Sequence, residues 1–180
     1  MSKSFLFLFF LLATSLLFAQ AYTPVDKGSS IKFTIKNLGI NTTGSISGIK
    51  GSIHYDVSNP LAASFNVTID AATVNTGNSL RDEHLNKESY FNYKKYPTLS
   101  FVSKNVSINP STHSLRVTGT LTIKGVSKEI TFPFTVEPQG DGLLFKGTFP
   151  LNRRDFSVGS SSLILSDDLT VSLTVFAKKE

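Results

Sequence analysis

The 180-residue sequence contains no cysteine. Disulfides, thiolate metal sites and lipid attachment at a cysteine are therefore excluded, and the fold has to be held by its core alone. Three isolated histidines, His54, His84 and His113, show no metal-ligand spacing, so no metal is expected. Catalytic signatures are also missing. Gly44-Ser-Ile-Ser-Gly48 carries Ile46 where a nucleophile elbow needs serine. There is no glycine-rich phosphate loop ending in Lys-Ser/Thr and no His-Glu-x-x-His. Neither an enzyme activity nor a cofactor is expected on motifs. Repeats, linkers and low-complexity stretches are lacking too.

The formal net charge is +5, a mild excess. Lys27, Lys50, Arg116 and Lys146 are scattered, with short pairs at Lys94-Lys95 and Arg153-Arg154. Such scatter reads as a solvated surface, with a preference for an anionic head group as the sharper alternative. No basic stripe is present, and nucleic acid is not an expected partner.

The first residues read as a leader. Lys3 gives a short positive region, and Phe5–Phe18 is apolar apart from Thr14 and Ser15. Ala19-Gln20-Ala21 fits the small-x-small cleavage rule. The run is shorter than the roughly 20 residues that span a bilayer. The expectation is a signal peptide over 1–21, cut after Ala21 or Ala19, with an uncleaved anchor as the alternative. The mature chain, 22–180, is one domain, placed in the periplasm or secreted. A chain of this size buries about 70% of its unfolded surface.

After the leader, apolar and polar residues alternate, the pattern of half-buried strands. Ile31, Phe33 and Ile35 alternate with Lys32, Thr34 and Lys36. Phe65, Val67 and Ile69 continue the pattern, as do Leu99 and Phe101, then Val117, Leu121 and Ile123. Ile130, Phe132, Phe134 and Val136 follow, then Phe145, and last Leu169, Val171, Leu173 and Val175. Ser45–Tyr55 reads as one long segment whose glycines mark a bend, Pro133 marks an edge or bulge, and Leu143–Phe149 suggests a bulge. Eight or so such strands predict an antiparallel sheet with one apolar face. Closure into a barrel removes both edges, and a sandwich fits the same pattern.

Asn78–Phe101 breaks the alternation. Ser79 followed by Asp82 predicts a capping-box helix start, with Leu80 and His84 on one face and Arg81 and Leu85 on another. A second turn is expected over Asn86–Phe91, ended by Tyr96-Pro97.

Three blocks carry a family resemblance. Arg81-Asp82-x-His84-Leu85, Tyr90-Phe91 and Lys95-Tyr96-Pro97-x-x-x-Phe101 form the first. Gly119-Thr-Leu-Thr-Ile-Lys-Gly125-Val-Ser-Lys128 is the second. Asn152-Arg153-Arg154-Asp155-Phe156 is the third, with Ser157 where glycine is usual. In this order they resemble the signature of the YceI-like polyisoprenoid-binding proteins. The resemblance implies an all-β fold, an eight-stranded antiparallel, lipocalin-like barrel with a short helical insert at about 78–96. It also implies a long apolar tunnel for an isoprenoid or similar amphiphilic chain.

The residues alone leave a filled core and a ligand cavity equally open, because both need inward apolar side chains. With the resemblance, the expected cavity lining is Phe33, Phe65, Val67, Phe101, Leu121, Phe132, Phe134, Phe145 and Leu173. Arg81, His84 and Arg153 are the head-group candidates, each with a plain alternative as a bracing or packing residue. The expected partner is a polyisoprenoid or other long-chain amphiphilic lipid, held for carriage or storage. A homodimer and a transient membrane contact stay open. The alternative function is an enzyme acting on such a lipid, with His84 or Asp82 as its acid-base group.

Overall fold

The computed structural model describes residues 20–180. Nearly all of the expected leader lies outside the described residues. Nine strand segments form one antiparallel sheet, β1 (Gln20–Asn37), β2 (Ile40–Ile46), β3 (Lys50–Tyr55), β4 (Ser64–Asp70), β5 (Thr98–Ile108), β6 (Leu115–Ile123), β7 (Val126–Gln139), β8 (Gly142–Asn152) and β9 (Leu165–Lys179). Each pairs with its sequence neighbour from β3 onward, and β9 returns to pair with β1. The sheet is therefore a closed barrel.

The barrel has eight lanes because β2 and β3 share one. β2 pairs with the second half of β1, Ile31 to Asn37, and β3 with its start, Gln20 to Tyr22. Gly48 breaks the lane with φ 78°. The Asp26 carboxylate closes the break by accepting the Gly48 and Ile49 N–H groups at 2.9 and 3.0 Å. The long segment expected over Ser45–Tyr55 is thus two strands. The first begins earlier, at Ile40, where only the end residues are apolar.

Pro133 stands where β7 loses its partner. β7 pairs with β6 along its whole shared length, but its ladder to β8 begins at Phe134. The missing proline N–H falls at that local edge. No register shift interrupts β8 against β9, so the bulge expected over Leu143–Phe149 is absent.

Helix α1 (Ser79–Leu85) opens the insert between β4 and β5. Its cap is Asn78 rather than Ser79. The Asn78 side chain accepts the Arg81 N–H at 3.0 Å, and Asp82 turns away to accept the Thr76 N–H at 2.8 Å. Turns then carry the chain to Pro97. Tyr96 lies over Gly125 in the β6–β7 hairpin, where an added Cβ would meet its ring at 2.6 Å. This fixes the insert across one end of the barrel.

The core divides along the barrel axis. At the end away from the insert, Tyr22, Ile53, Tyr55, Val117, Phe134 and Phe145 form one buried cluster. Near the insert, Ile46, Val74, Leu99, Ile123, Phe156 and Val158 form a second.

Candidate functional site

Between the packed end and the insert lies a cavity of about 430 Å³. Ile31, Phe33 and Ile35 of β1 and Leu169, Val171 and Leu173 of β9 form one side. Val67 of β4, Phe101 of β5, Leu121 of β6 and Phe132 of β7 form the other. These positions share the inward parity of their strands.

Glycines decide how the rings lie. Gly44 pairs with Phe33 across β1 and β2, and the Phe33 ring occupies the space its side chain would fill. Gly119 does the same for Phe101, whose ring atom would stand 2.5 Å from an added Cβ. A ring laid against bare backbone covers the wall and leaves the lumen open. Gly119, the first glycine of the second sequence block, therefore has a packing reason.

Six of the nine residues expected on the wall are there: Phe33, Val67, Phe101, Leu121, Phe132 and Leu173. Phe65, Phe134 and Phe145 are placed otherwise. They lie below the cavity in an edge-to-face cluster, with Phe65 at 5.5 Å from Phe134 and 5.7 Å from Phe145, and Phe145 at 5.7 Å from Tyr55. Alternation gives the face on which a side chain sits but not its height in the barrel. Phe65 and Phe134 are one inward step below Val67 and Phe132, and that step crosses the floor. Phe132 closes the floor, stacked on Phe149 at 4.4 Å and tilted against Phe101 at 5.5 Å.

The insert and the segment after β8 meet at the other end. Leu85, Tyr90 and Phe91 face the cavity from the insert, and the Gly159 N–H donates to Ser89 O at 2.8 Å. Tyr90, Phe91 and Phe101 of the first sequence block thus reach the cavity wall. The wall residues Ile49, Ile123, Phe149 and Leu151 were not singled out as lining. Their inward parity is legible in the sequence, yet nothing there gives their height.

The three head-group candidates all border the cavity. Arg81 Nε donates to Thr76 Oγ1 at 2.7 Å and Nη2 to Thr76 O at 2.9 Å. Its Nη1 makes no hydrogen bond to the described residues. His84 is exposed and packs on Tyr90, ring centres 4.9 Å apart. Arg153 is buried and fully engaged. It donates to Ser166 O and Val158 O at 2.9 Å each and pairs with Asp167 at 2.6 Å. Its guanidinium braces the segment that follows β8, and its bracing role is the one the geometry supports. Asp82 is likewise committed to Thr76.

The groups with displaced pKa values lie at the far end. Burial raises those of Tyr55 and Tyr22, and the neighbouring Asp56 charge adds to both. Asp56 is held below its usual value, first by the Ser58 hydroxyl. Among the described residues, no three His, Asp or Glu side chains stand close enough to hold a metal ion.

With this geometry in place, the comparisons with known proteins agree on the family. The model of the YceI-like domain matches residues 22–177. A UPF0312 protein of Pseudomonas aeruginosa is 35% identical over 135 residues, 71% of this chain and 70% of its own. BcnA of Burkholderia cenocepacia is similar in structure, with a TM-score of 0.77 and 27% identity over 83% of this chain and 96% of its own. A polyisoprenoid binding domain from Saccharophagus degradans, implicated in plant cell wall breakdown, has a TM-score of 0.69 over 89% of this chain and 99% of its own. At 16% identity that last likeness is one of fold. The chain belongs to the YceI-like family.

Proposed function

We propose that the barrel holds the tail of an isoprenoid or similar long-chain amphiphile in its cavity, as a carrier or store. The observation that carries this is the apolar wall, made of aliphatic side chains and of rings packed over Gly44 and Gly119. A tail gains about 0.8 kcal/mol per buried CH₂. That interaction is non-directional, so the wall sets length and width more than chemistry. The polyisoprenoid binding reported for the S. degradans domain supports the same ligand class.

The head group sits at the insert end. Arg81 Nη1 is the donor with capacity to spare, with His84 beside it on α1. For the enzyme alternative, Asp82 Oδ1 is engaged by the Thr76 N–H and hydroxyl, which leaves His84 as its acid-base candidate at the cavity. The leader read in the sequence puts the carrier outside the cytoplasm. A cut after Ala19 keeps the Gln20↔Tyr55 and Ala21↔His54 pairs of the barrel; a cut after Ala21 removes both.

The test is organic extraction and mass spectrometry of the purified protein, followed by titration with prenyl alcohols and phosphates. An intact co-purified lipid and saturable binding are expected. A protein that carries no lipid and binds neither series refutes the reading.

A further inference from the structure

We propose that the insert end of the barrel docks on a phospholipid bilayer through an exposed apolar rim of Leu38, Ile40, Leu163 and Ile164. The inference rests on the carrier reading and adds where the lipid is exchanged.

The rim is one surface built from two segments. Leu38 and Ile40 belong to the β1–β2 hairpin tip, and Leu163–Ile164 to the segment entering β9. The Leu38 N–H donates to Ile164 O at 2.7 Å. The register sets Asn37 between Ile40 on one side and Leu165 on the other. Leu163 is fully exposed, and Leu38 and Ile40 are 69% and 71% exposed.

Leu38 also breaks a local rule. Its φ is 52° and that of Gly39 is 77°. Two residues with positive φ at a two-residue hairpin tip favour Asn-Gly, and leucine in this conformation is strained. In the free protein the side chain gains little packing in return, being 69% exposed. An apolar surface outside the protein would supply it.

The rim is continuous with the cavity, because Ile164, Leu165 and Ile35 all border it. A tail leaving a bilayer here enters the barrel without crossing water, where its apolar surface would be exposed. Lys36 is exposed beside the tip and offers a cation to a lipid phosphate. Of the nearest carboxylates in sequence, Asp167 pairs with Arg153, while Asp168 accepts from the neutral Asn152 amide and keeps its charge. At the far end Val57 is equally exposed, but the cavity described above is not lined by it and Asp56 adds a negative charge.

The chain has no tryptophan, so one introduced indole reports its own surroundings. Mixed with vesicles of phosphatidylcholine and phosphatidylglycerol, Leu163→Trp should show a blue-shifted emission and Val57→Trp should not. The double substitution Leu38→Ser with Leu163→Ser should slow transfer of a fluorescent prenyl alcohol out of those vesicles by more than about tenfold, given two lost leucine anchors. Its binding of the same alcohol delivered from cyclodextrin should stay unchanged. An unshifted Leu163→Trp spectrum, or equal transfer by the double variant and the wild type, overturns the proposal. If the wild type takes no prenyl alcohol from cyclodextrin, the carrier reading fails instead. The tryptophan shift then decides docking by itself, since it needs no ligand.

Discussion

Phe132→Ala should change which chain lengths the barrel accepts. Phe132 is 6% exposed and stands at the cavity floor between Phe101 and Phe149. Below it the next inward residue on β7, Phe134, already belongs to the packed cluster. The lined stretch runs from Ile31 to Asn37 on β1 and from Leu165 to Val175 on β9. At about 3.3 Å per residue and a strand tilt near 40°, the cavity is roughly 15–25 Å deep. Affinity should therefore rise with tail length until the tail reaches Phe132, and then level off.

Truncation removes a ring with roughly the bulk of one isoprene unit. Filling that space adds at most about 4 kcal/mol, at about 0.8 kcal/mol per carbon. Ordering the extra torsions and imperfect fit offset part of this. The expected result is an optimum one isoprene unit longer, with about ten- to hundredfold tighter binding of the longer tail. The empty variant should lose about 3–5 kcal/mol of stability, and the long-tailed ligand should restore much of it. The assay is a titration series of prenyl alcohols of increasing length, with thermal melts on the same samples. A variant that is destabilised but keeps the wild-type length optimum would refute the placing of the floor at Phe132.

Three further substitutions probe the wall, the mouth and the turn after β8. In Gly119→Ala the new Cβ meets the Phe101 ring and the Val102 carbonyl at 2.5 and 2.6 Å; overpacking should cost about 1–3 kcal/mol in denaturant melts, and the displaced ring should weaken tail binding in titrations. Arg81→Ala should weaken a prenyl phosphate by about tenfold, the scale of one hydrogen bond to a charged group, while sparing the alcohol of equal length, as read by paired titrations. Ser157→Gly should stabilise by about 0.5 kcal/mol. Relief of a φ of 56° is worth about 1–2 kcal/mol, and the added freedom of the unfolded chain takes back about 0.4–1 kcal/mol. A melting temperature at or below that of the wild type would count against it.

The strands were legible because their alternation is clean, and the insert because it interrupts that alternation. Two strand features were not. β2 is not legible as a strand of its own because Ile40-Asn-Thr-Thr-Gly-Ser-Ile46 has apolar residues only at its ends; within it, Gly44 lies beneath the Phe33 ring. The break between β2 and β3 is signalled by Gly48, yet its closure depends on Asp26, more than twenty residues upstream by number and next to it only once β1 pairs with β2 and β3. Arg153 illustrates another limit. As a sequence position it is a basic residue in a late loop, available to a ligand. In the fold it is 5% exposed, because four acceptors from the segment Val158–Asp167 surround it. Charge in a loop is visible in a sequence, whereas the acceptors that already use it are not.

The third sequence block is looser in this chain without loss of the fold, because its contacts hold the turn in place. The short turn Arg153–Phe156 buries Arg153 and Phe156 together. Its end at Ser157 needs a left-handed residue, the conformation for which glycine is favoured. Serine can occupy it at a modest cost because the backbone is held on both sides. The Ser157 N–H donates to Arg154 O at 3.1 Å, and Ser157 O accepts from Lys124 Nζ at 2.8 Å. Lys124 belongs to the β6–β7 hairpin that also carries Gly125 beneath Tyr96. The second and third blocks therefore touch at one point, and the first joins them through Tyr96. Residues far apart in the chain share a signature because together they fasten the insert and the late loop over one end of the barrel. That fastening holds the insert and the late loop in place around the mouth of the cavity, while Phe132 closes it below.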